Sequence, residues 1–147
     1  MFSKILITCI GNICRSPMAE AVFRSQGAKL LNYPIEVRSA GTHALIQHPA
    51  DPNAQHLMSE INLDISDHRG QKLNPLLAQW ADIIFVMDSD QKRHVESLYP
   101  TTRGKVFRLL EDSGKDIPDP YQQGIQAFRD SLTSIQEGVD QWIEKLS

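Results

Sequence analysis

Short apolar runs alternate along this chain with longer segments whose apolar residues recur at intervals of three and four. The first run, Lys4–Ile10, contains Ile5-Leu6-Ile7-Thr8 and has the length and β-branching of a buried strand. Pro17–Leu31 follows as a helix, with Met18, Ala19, Val22 and Phe23 along one face. Ile35–Ala40 alternates apolar and polar, the pattern of a strand exposed on one side at a sheet edge. Ile83–Met87 is apolar throughout, as expected of a strand covered on both faces. Val106–Leu110 reads as a fourth, weaker strand, and helices are predicted at Asn53–Glu60, Asn74–Trp80 and Gln91–Leu98. In the last segment Ile125, Phe128, Leu132, Ile135, Val139, Trp142 and Leu146 form one stripe. It suits a coiled-coil seam, or a final helix docked on the sheet; three heptads are at the lower limit for the former.

Alternating strands and helices predict an α/β fold with a parallel sheet. No internal repeat, low-complexity tract or long linker divides the chain, so residues 1–147 read as a single domain. Two central and two edge strands give a four-stranded sheet with the first and third strands adjacent. Right-handed crossovers then place helices on both faces, making three layers. Ligands of such sheets bind beyond the strand C-termini where the strand order reverses, which is where Cys9 falls.

Cys9–Ser16 reads Cys-Ile-Gly-Asn-Ile-Cys-Arg-Ser and joins the first strand to the first helix. Pro17 after Ser16 is a helix-start signal, with Ser16 suited to the N-cap. Gly11 and Asn12 are residue types that tolerate a tight, positive-φ backbone. Such a loop, Ile10, Gly11, Asn12, Ile13 and Cys14 included, can turn successive N–H groups inward as an anion nest at a helix N-terminus. Arg15 adds a planar, permanently charged fork that matches two phosphate oxygens. In such an electropositive cup Cys9 is expected to act as a thiolate nucleophile. Thiolate, anion cradle and Arg within eight residues describe a site that attacks phosphate.

A thiolate that displaces an oxygen from phosphorus needs a proton delivered to that oxygen. Asp119 stands between Pro118 and Pro120, a stiff mount for such an acid, or part of a Pro-rich turn before the last helix. Tyr121 is placed to wall an aromatic slot, and Thr42–His48 to line it, with Leu45 as the apolar contact.

Composition narrows the classes. The chain has 147 residues, 41% hydrophobic and 22% charged, with a net charge of −3 spread over both signs, so no basic surface suggests nucleic acid. Affinity for an anion must therefore be local to Arg15. Two Cys, both inside the loop, provide no disulfide framework and no zinc spacing, and the five His show no ligand spacing, so neither metal nor cofactor is expected. A reducing cytoplasm fits. Lys4 and the apolar run after it are too short for a signal peptide, and no stretch approaches a membrane span.

Cys-x5-Arg-Ser resembles the signature loop of cysteine-dependent tyrosine phosphatases, and Cys9 to Pro17 resembles the low-molecular-weight tyrosine phosphatase family. The likeness runs from Ser3 to Leu146 and implies strand order 2-1-3-4. It also implies that Asp119-Pro120-Tyr121 is the general-acid motif and that Ser39-Ala40-Gly41 supports the loop. By the same resemblance His68 bonds the loop at Asn12; on sequence alone a lone His before Arg69 is more often a surface residue. Ser16 would donate to the Cys9 thiolate. Cys14 either packs beneath the loop or, as the similar Cys pair in related phosphatases implies, has a redox role with Cys9. Gln122 stands where many eukaryotic members have a second Tyr, so the chain looks more like bacterial members that accompany tyrosine autokinases of capsule and exopolysaccharide export. A monomer acting on a phosphotyrosine protein, such an autokinase, is expected.

Three other functions are open on this reading. An arsenate reductase on the same scaffold would want a third Cys near the third strand, where Met87 and Asp88 stand. A phosphocysteine carrier, like the small sugar-phosphotransferase subunits, would not need Asp119. A pure phosphate-binding module leaves the thiol unexplained.

Overall fold

Successive residues of the first strand face opposite sides of the sheet, and Ile5, Leu6 and Ile7 are all fully buried, so both faces must be covered. The structure is a computed structural model that describes residues 2–147. Its strands are β1 (Lys4–Cys9), β2 (Glu36–Gly41), β3 (Ile83–Val86) and β4 (Val106–Arg108). Its α-helices are α1 (Arg15–Leu30), α2 (Pro52–Glu60), α3 (Pro75–Trp80), α4 (Ser89–Leu98) and α5 (Ile125–Leu146). All strand pairs are parallel, in the order β2-β1-β3-β4.

On one face Ile5, Ile7 and Phe85 pack against Met18 and Phe23 of α1 and Phe128, Ile135 and Trp142 of α5. Phe85 anchors this layer, with ring centroids 5.4 Å from Phe23 and 4.8 Å from Trp142. Truncating so buried an aromatic costs about 3–5 kcal/mol. On the other face Leu6, Ile84 and Val86 meet Leu73, Leu77 and Val95, the last two from α3 and α4. The stripe on α5 is thus spent inside the chain: Phe128, Leu132, Ile135, Val139 and Trp142 are buried against the sheet layer, and the coiled-coil alternative falls.

The differences from the sequence reading lie at element ends. The first helix begins at Arg15, two residues before Pro17, and Ser16 is not its N-cap. Cys14 occupies the cap position and no side chain caps the turn. Pro17 still fits, because a first-turn N–H has no helical acceptor to lose. The helix α4 starts at Ser89, not Gln91, because the Asp88 carboxylate caps it by accepting from the Gln91 N–H at 2.8 Å. Strand β2 extends to Gly41, paired with Cys9. Cys9 ends β1 beside the order reversal, and β3 ends next to it at Val86.

Candidate active site

The loop after Cys9 is shaped by what takes its carbonyl groups. Cys9 O accepts from Thr42 N–H at 3.1 Å, Ile10 O from His43 N–H at 2.9 Å and Gly11 O from Leu45 N–H at 3.0 Å. Ile13 O accepts from Asp51 N–H at 2.8 Å, and Asn12 O from His68 Nε2 at 2.6 Å. Five consecutive carbonyls therefore point outward into the surrounding chain. In a planar trans peptide the N–H points opposite to the C=O, so the N–H groups of residues 10–14 turn into the cup. The positive φ falls on Asn12 at 57°; Gly11 does not need one. Gly41 is required for closeness, since a Cβ there would lie 2.5 Å from Ile10 O and 3.0 Å from Asn12 N.

Behind the loop the fully buried Asn12 amide is held at every polar atom. Its Oδ1 accepts from Gln71 N–H at 2.9 Å, and its Nδ2 donates to Ser16 Oγ at 2.7 Å and Ser39 Oγ at 3.0 Å. Ser39 in turn donates to Glu20 Oε1 at 2.5 Å, and Glu20 pairs with Arg24. Because Ser16 Oγ already accepts from Asn12, its hydrogen is free to point to Cys9 Sγ, 2.9 Å away. The network thus presents a donor to the sulfur, which suits a thiolate.

Arg15 is almost wholly buried. Its Nη1 donates to Ile117 O at 2.5 Å and lies 3.6 Å from Asp88 Oδ2, while Nη2 is 3.9 Å from Asp119 Oδ2. Asp119 is half exposed, and its Oδ1 accepts from Tyr121 N–H at 3.1 Å. Burial first, then the charge of Asp51, pushes the Cys14 thiol well above its ordinary range, so it is a neutral thiol at pH 7.

These groups meet in one cleft of about 220 Å³. Of the sequence-predicted residues, Cys9, Ile10, Gly11, Ile13, Cys14, Arg15, Leu45, Asp119 and Tyr121 line it. Asn12, Ser16, Ser39 and His68 lie behind the loop and hold it. From Thr42–His48 only His43 and Leu45 reach the cleft. Sequence reasoning had not singled out His43, whose ring stacks on His94 of α4 with centroids 5.6 Å apart. Glu20 and Gln71 were missed as well, for they carry no local motif. Among the described residues no three His, Cys, Asp or Glu are grouped to hold a metal ion, and no helix is long and apolar enough to cross a membrane.

A parallel sheet with a buried cysteine at its switch point, in a loop whose N–H groups converge, faced by Arg and a carboxylate, is the frame expected of a cysteine-dependent phosphatase. Residues 4–147 match the family model of the low molecular weight phosphotyrosine protein phosphatases, and the chain belongs to that family. It is 46% identical over 147 residues to the probable low molecular weight protein-tyrosine-phosphatase EpsP of Ralstonia nicotianae, covering 99% of this chain and 97% of that one. The crystal structure of the tyrosine phosphatase Wzb from Escherichia coli K30 in complex with sulphate superposes with a TM-score of 0.91 at 34% identity, covering 100% of both chains. The YwlE arginine phosphatase from Geobacillus stearothermophilus has a TM-score of 0.88 at 31% identity, over 98% of this chain and 92% of that one.

Proposed function

We propose that the protein hydrolyses phosphotyrosine in proteins through a phosphocysteine intermediate. The phosphate sits in the cup, its oxygens held by the N–H groups of residues 10–14 and by Arg15. The Cys9 thiolate attacks phosphorus in line; the P–S bond forms as the bond to the aryl oxygen breaks. Asp119 gives its proton to the departing phenolate. As a carboxylate it then takes a proton from the water that attacks the phosphocysteine, releasing phosphate and the thiolate. Ser16 holds the thiolate by its hydroxyl, while Ser39 and His68 hold the loop.

The observation that carries this reading is the convergence of Cys9, Arg15 and Asp119 in one cleft whose other walls, His43 apart, are mainly apolar. Because one similar structure is an arginine phosphatase, the scaffold alone does not choose the leaving group. The walls do: Ile10, Ile13, Leu45 and Tyr121 suit a flat, uncharged aryl ring, and offer no carboxylate for a guanidinium apart from Asp119 itself. The test is phosphate release from a phosphotyrosine peptide against a phosphoarginine peptide, without metal and with vanadate as inhibitor. Preference for the arginine peptide would overturn the substrate class.

The arsenate reductase alternative gains nothing from the position after β3, where Met87 is buried and Asp88 caps a helix. A carrier or a passive phosphate binder gains nothing from a carboxylate 3.9 Å from the phosphate-binding Arg. The finer reading, a tyrosine autokinase of capsule or exopolysaccharide export as substrate in the cytoplasm, rests on resemblance to bacterial members of the family. Capture by a Cys9→Ser or Asp119→Ala trap tests it; recovery of other phosphotyrosine proteins and no autokinase would remove it.

A further inference from the structure

Ser131 is a buried hydroxyl in the α5 stripe, between Phe128 on one side and Leu132 and Ile135 on the other, and the mechanism above makes no use of it. A hydroxyl in such surroundings needs a partner. It finds one outside its own helix, donating to the carbonyl oxygen of Pro118 at 3.1 Å.

That carbonyl belongs to the peptide that leads into Asp119. One residue earlier, Ile117 is fixed on both sides, its N–H donating to Met87 O at 2.9 Å and its carbonyl accepting from Arg15 at 2.5 Å. Pro118 has no N–H, and its ring locks φ. The peptide on either side of it is planar. The one free main-chain torsion between the fixed Ile117 and the Asp119 Cα is therefore ψ of Pro118, and its carbonyl direction defines that torsion. Beyond Asp119 the chain passes the buried Pro120, whose ring again locks φ, and then runs through exposed residues to Gly124, which has a φ of 89°. The mount is firm: α5 spans 22 residues and packs along α1 and the sheet.

We infer that Ser131 is a positioning residue for the general acid: by holding the Pro118 carbonyl it sets the direction in which the Asp119 carboxyl enters the cup. It touches neither substrate nor thiolate. The inference rests on the reading of Asp119 as the acid, and the experiment separates the two.

The test measures kcat/KM on a phosphotyrosine peptide and on p-nitrophenyl phosphate, whose leaving group departs readily without a proton. Ser131→Ala should lose roughly two- to ten-fold on the peptide, the span of a single lost hydrogen bond, and less on p-nitrophenyl phosphate. Ser131→Thr, which keeps the hydroxyl, should stay close to the original enzyme. In an Asp119→Ala background Ser131→Ala should cost nothing further, because the group it positions is gone. Equal loss on both substrates, or a further loss in the Asp119→Ala background, overturns the role of Ser131 even where Asp119→Ala alone remains sensitive to the leaving group. An Asp119→Ala enzyme impaired equally on both substrates overturns the acid itself, and this inference with it.

Discussion

Arg15 Nη1 donates a 2.5 Å hydrogen bond to the carbonyl of Ile117, two residues before Asp119. One guanidinium therefore faces the phosphate cup and also fastens the segment that carries the acid. Only a fork with five donors fixed in a plane can do both. Lys at this position offers a point charge, which can neutralise phosphate or hold the carbonyl but not span them. Arg15→Lys should lower kcat/KM for phosphotyrosine by roughly 10²–10³-fold, the usual loss when a preorganised donor to a developing charge is removed. A near-normal rate would show that the Cys9–Ser16 loop is not the phosphate site.

Cys9→Ser should abolish turnover and leave phosphate binding intact. The cup is built from main-chain N–H groups and Arg15, none of which depends on the sulfur, whereas a serine hydroxyl without an adjacent base is a poor nucleophile. Ser16 Oγ, 2.9 Å from that sulfur, already accepts from Asn12 Nδ2, which leaves it placed to donate to position 9 and not to serve as its base. Phosphate titration and steady-state assay of the variant are the measurements. Steady hydrolysis by the Ser variant would end the nucleophile assignment.

Asp119→Ala should lose roughly 10²–10⁴-fold with phosphotyrosine, the range for a positioned general acid. With p-nitrophenyl phosphate the loss should be smaller. A plot of log rate against leaving-group pKa should steepen in the variant, since negative charge then accumulates on the oxygen. An unchanged slope would leave Asp119 a structural role only.

What could be seen in the sequence was what eight or so contiguous residues decide. The cup follows from main-chain geometry between Cys9 and Ser16, and the division into central and edge strands from the apolar patterns of Ile35–Ala40 and Ile83–Met87, whereas the full order 2-1-3-4 comes from the family resemblance. The start of α1 was misplaced because Ser-Pro is a general helix-start signal, while here the Ser16 hydroxyl is drawn to Cys9 and leaves the first turn uncapped. The support behind the loop was out of reach without a resemblance, since Asn12 meets Ser39 27 residues away and Gln71 59 residues away. His43 lies in an irregular segment where no periodicity says which side chain turns inward.

Cys14 should protect the enzyme from peroxide, and slowly. It lines the same cleft as Cys9, and attack of its thiolate on a Cys9 sulfenic acid would give a disulfide and water. The attacking species is the Cys14 thiolate, and burial holds this thiol above its ordinary range. Capture should therefore speed up as pH rises, competing better with further oxidation to the sulfinic acid. After peroxide and then a dithiol, the original enzyme should recover most of its activity and Cys14→Ser should not, with the gap widening between pH 7 and pH 9. Equal recovery in both would deny Cys14 a protective role.

Asp82 fastens the start of β1 from the residue before β3, and this should appear as pH-dependent stability. Its carboxylate accepts from the N–H groups of Lys4 at 2.9 Å and Ser3 at 3.0 Å. The bond from Lys4, helped by the one from Ser3, holds the Asp82 carboxyl below the usual carboxylate range against the opposing effect of desolvation. A group whose pKa is depressed on folding adds stability that is fully present above its unfolded value, near 3.9. That stability is lost as pH falls through the folded value. Asp82→Asn keeps the shape and one acceptor but removes the charge, so it should cost about 1 kcal/mol at pH 7, below the roughly 1.5–3 kcal/mol of a hydrogen bond to a charged group because solvent screens this partly exposed site. Urea unfolding of the two proteins should show that difference constant from pH 7 to about pH 5 and closing below about pH 4. A difference that persists unchanged at pH 3 would mean that the carboxylate charge contributes nothing and that the loss comes from packing.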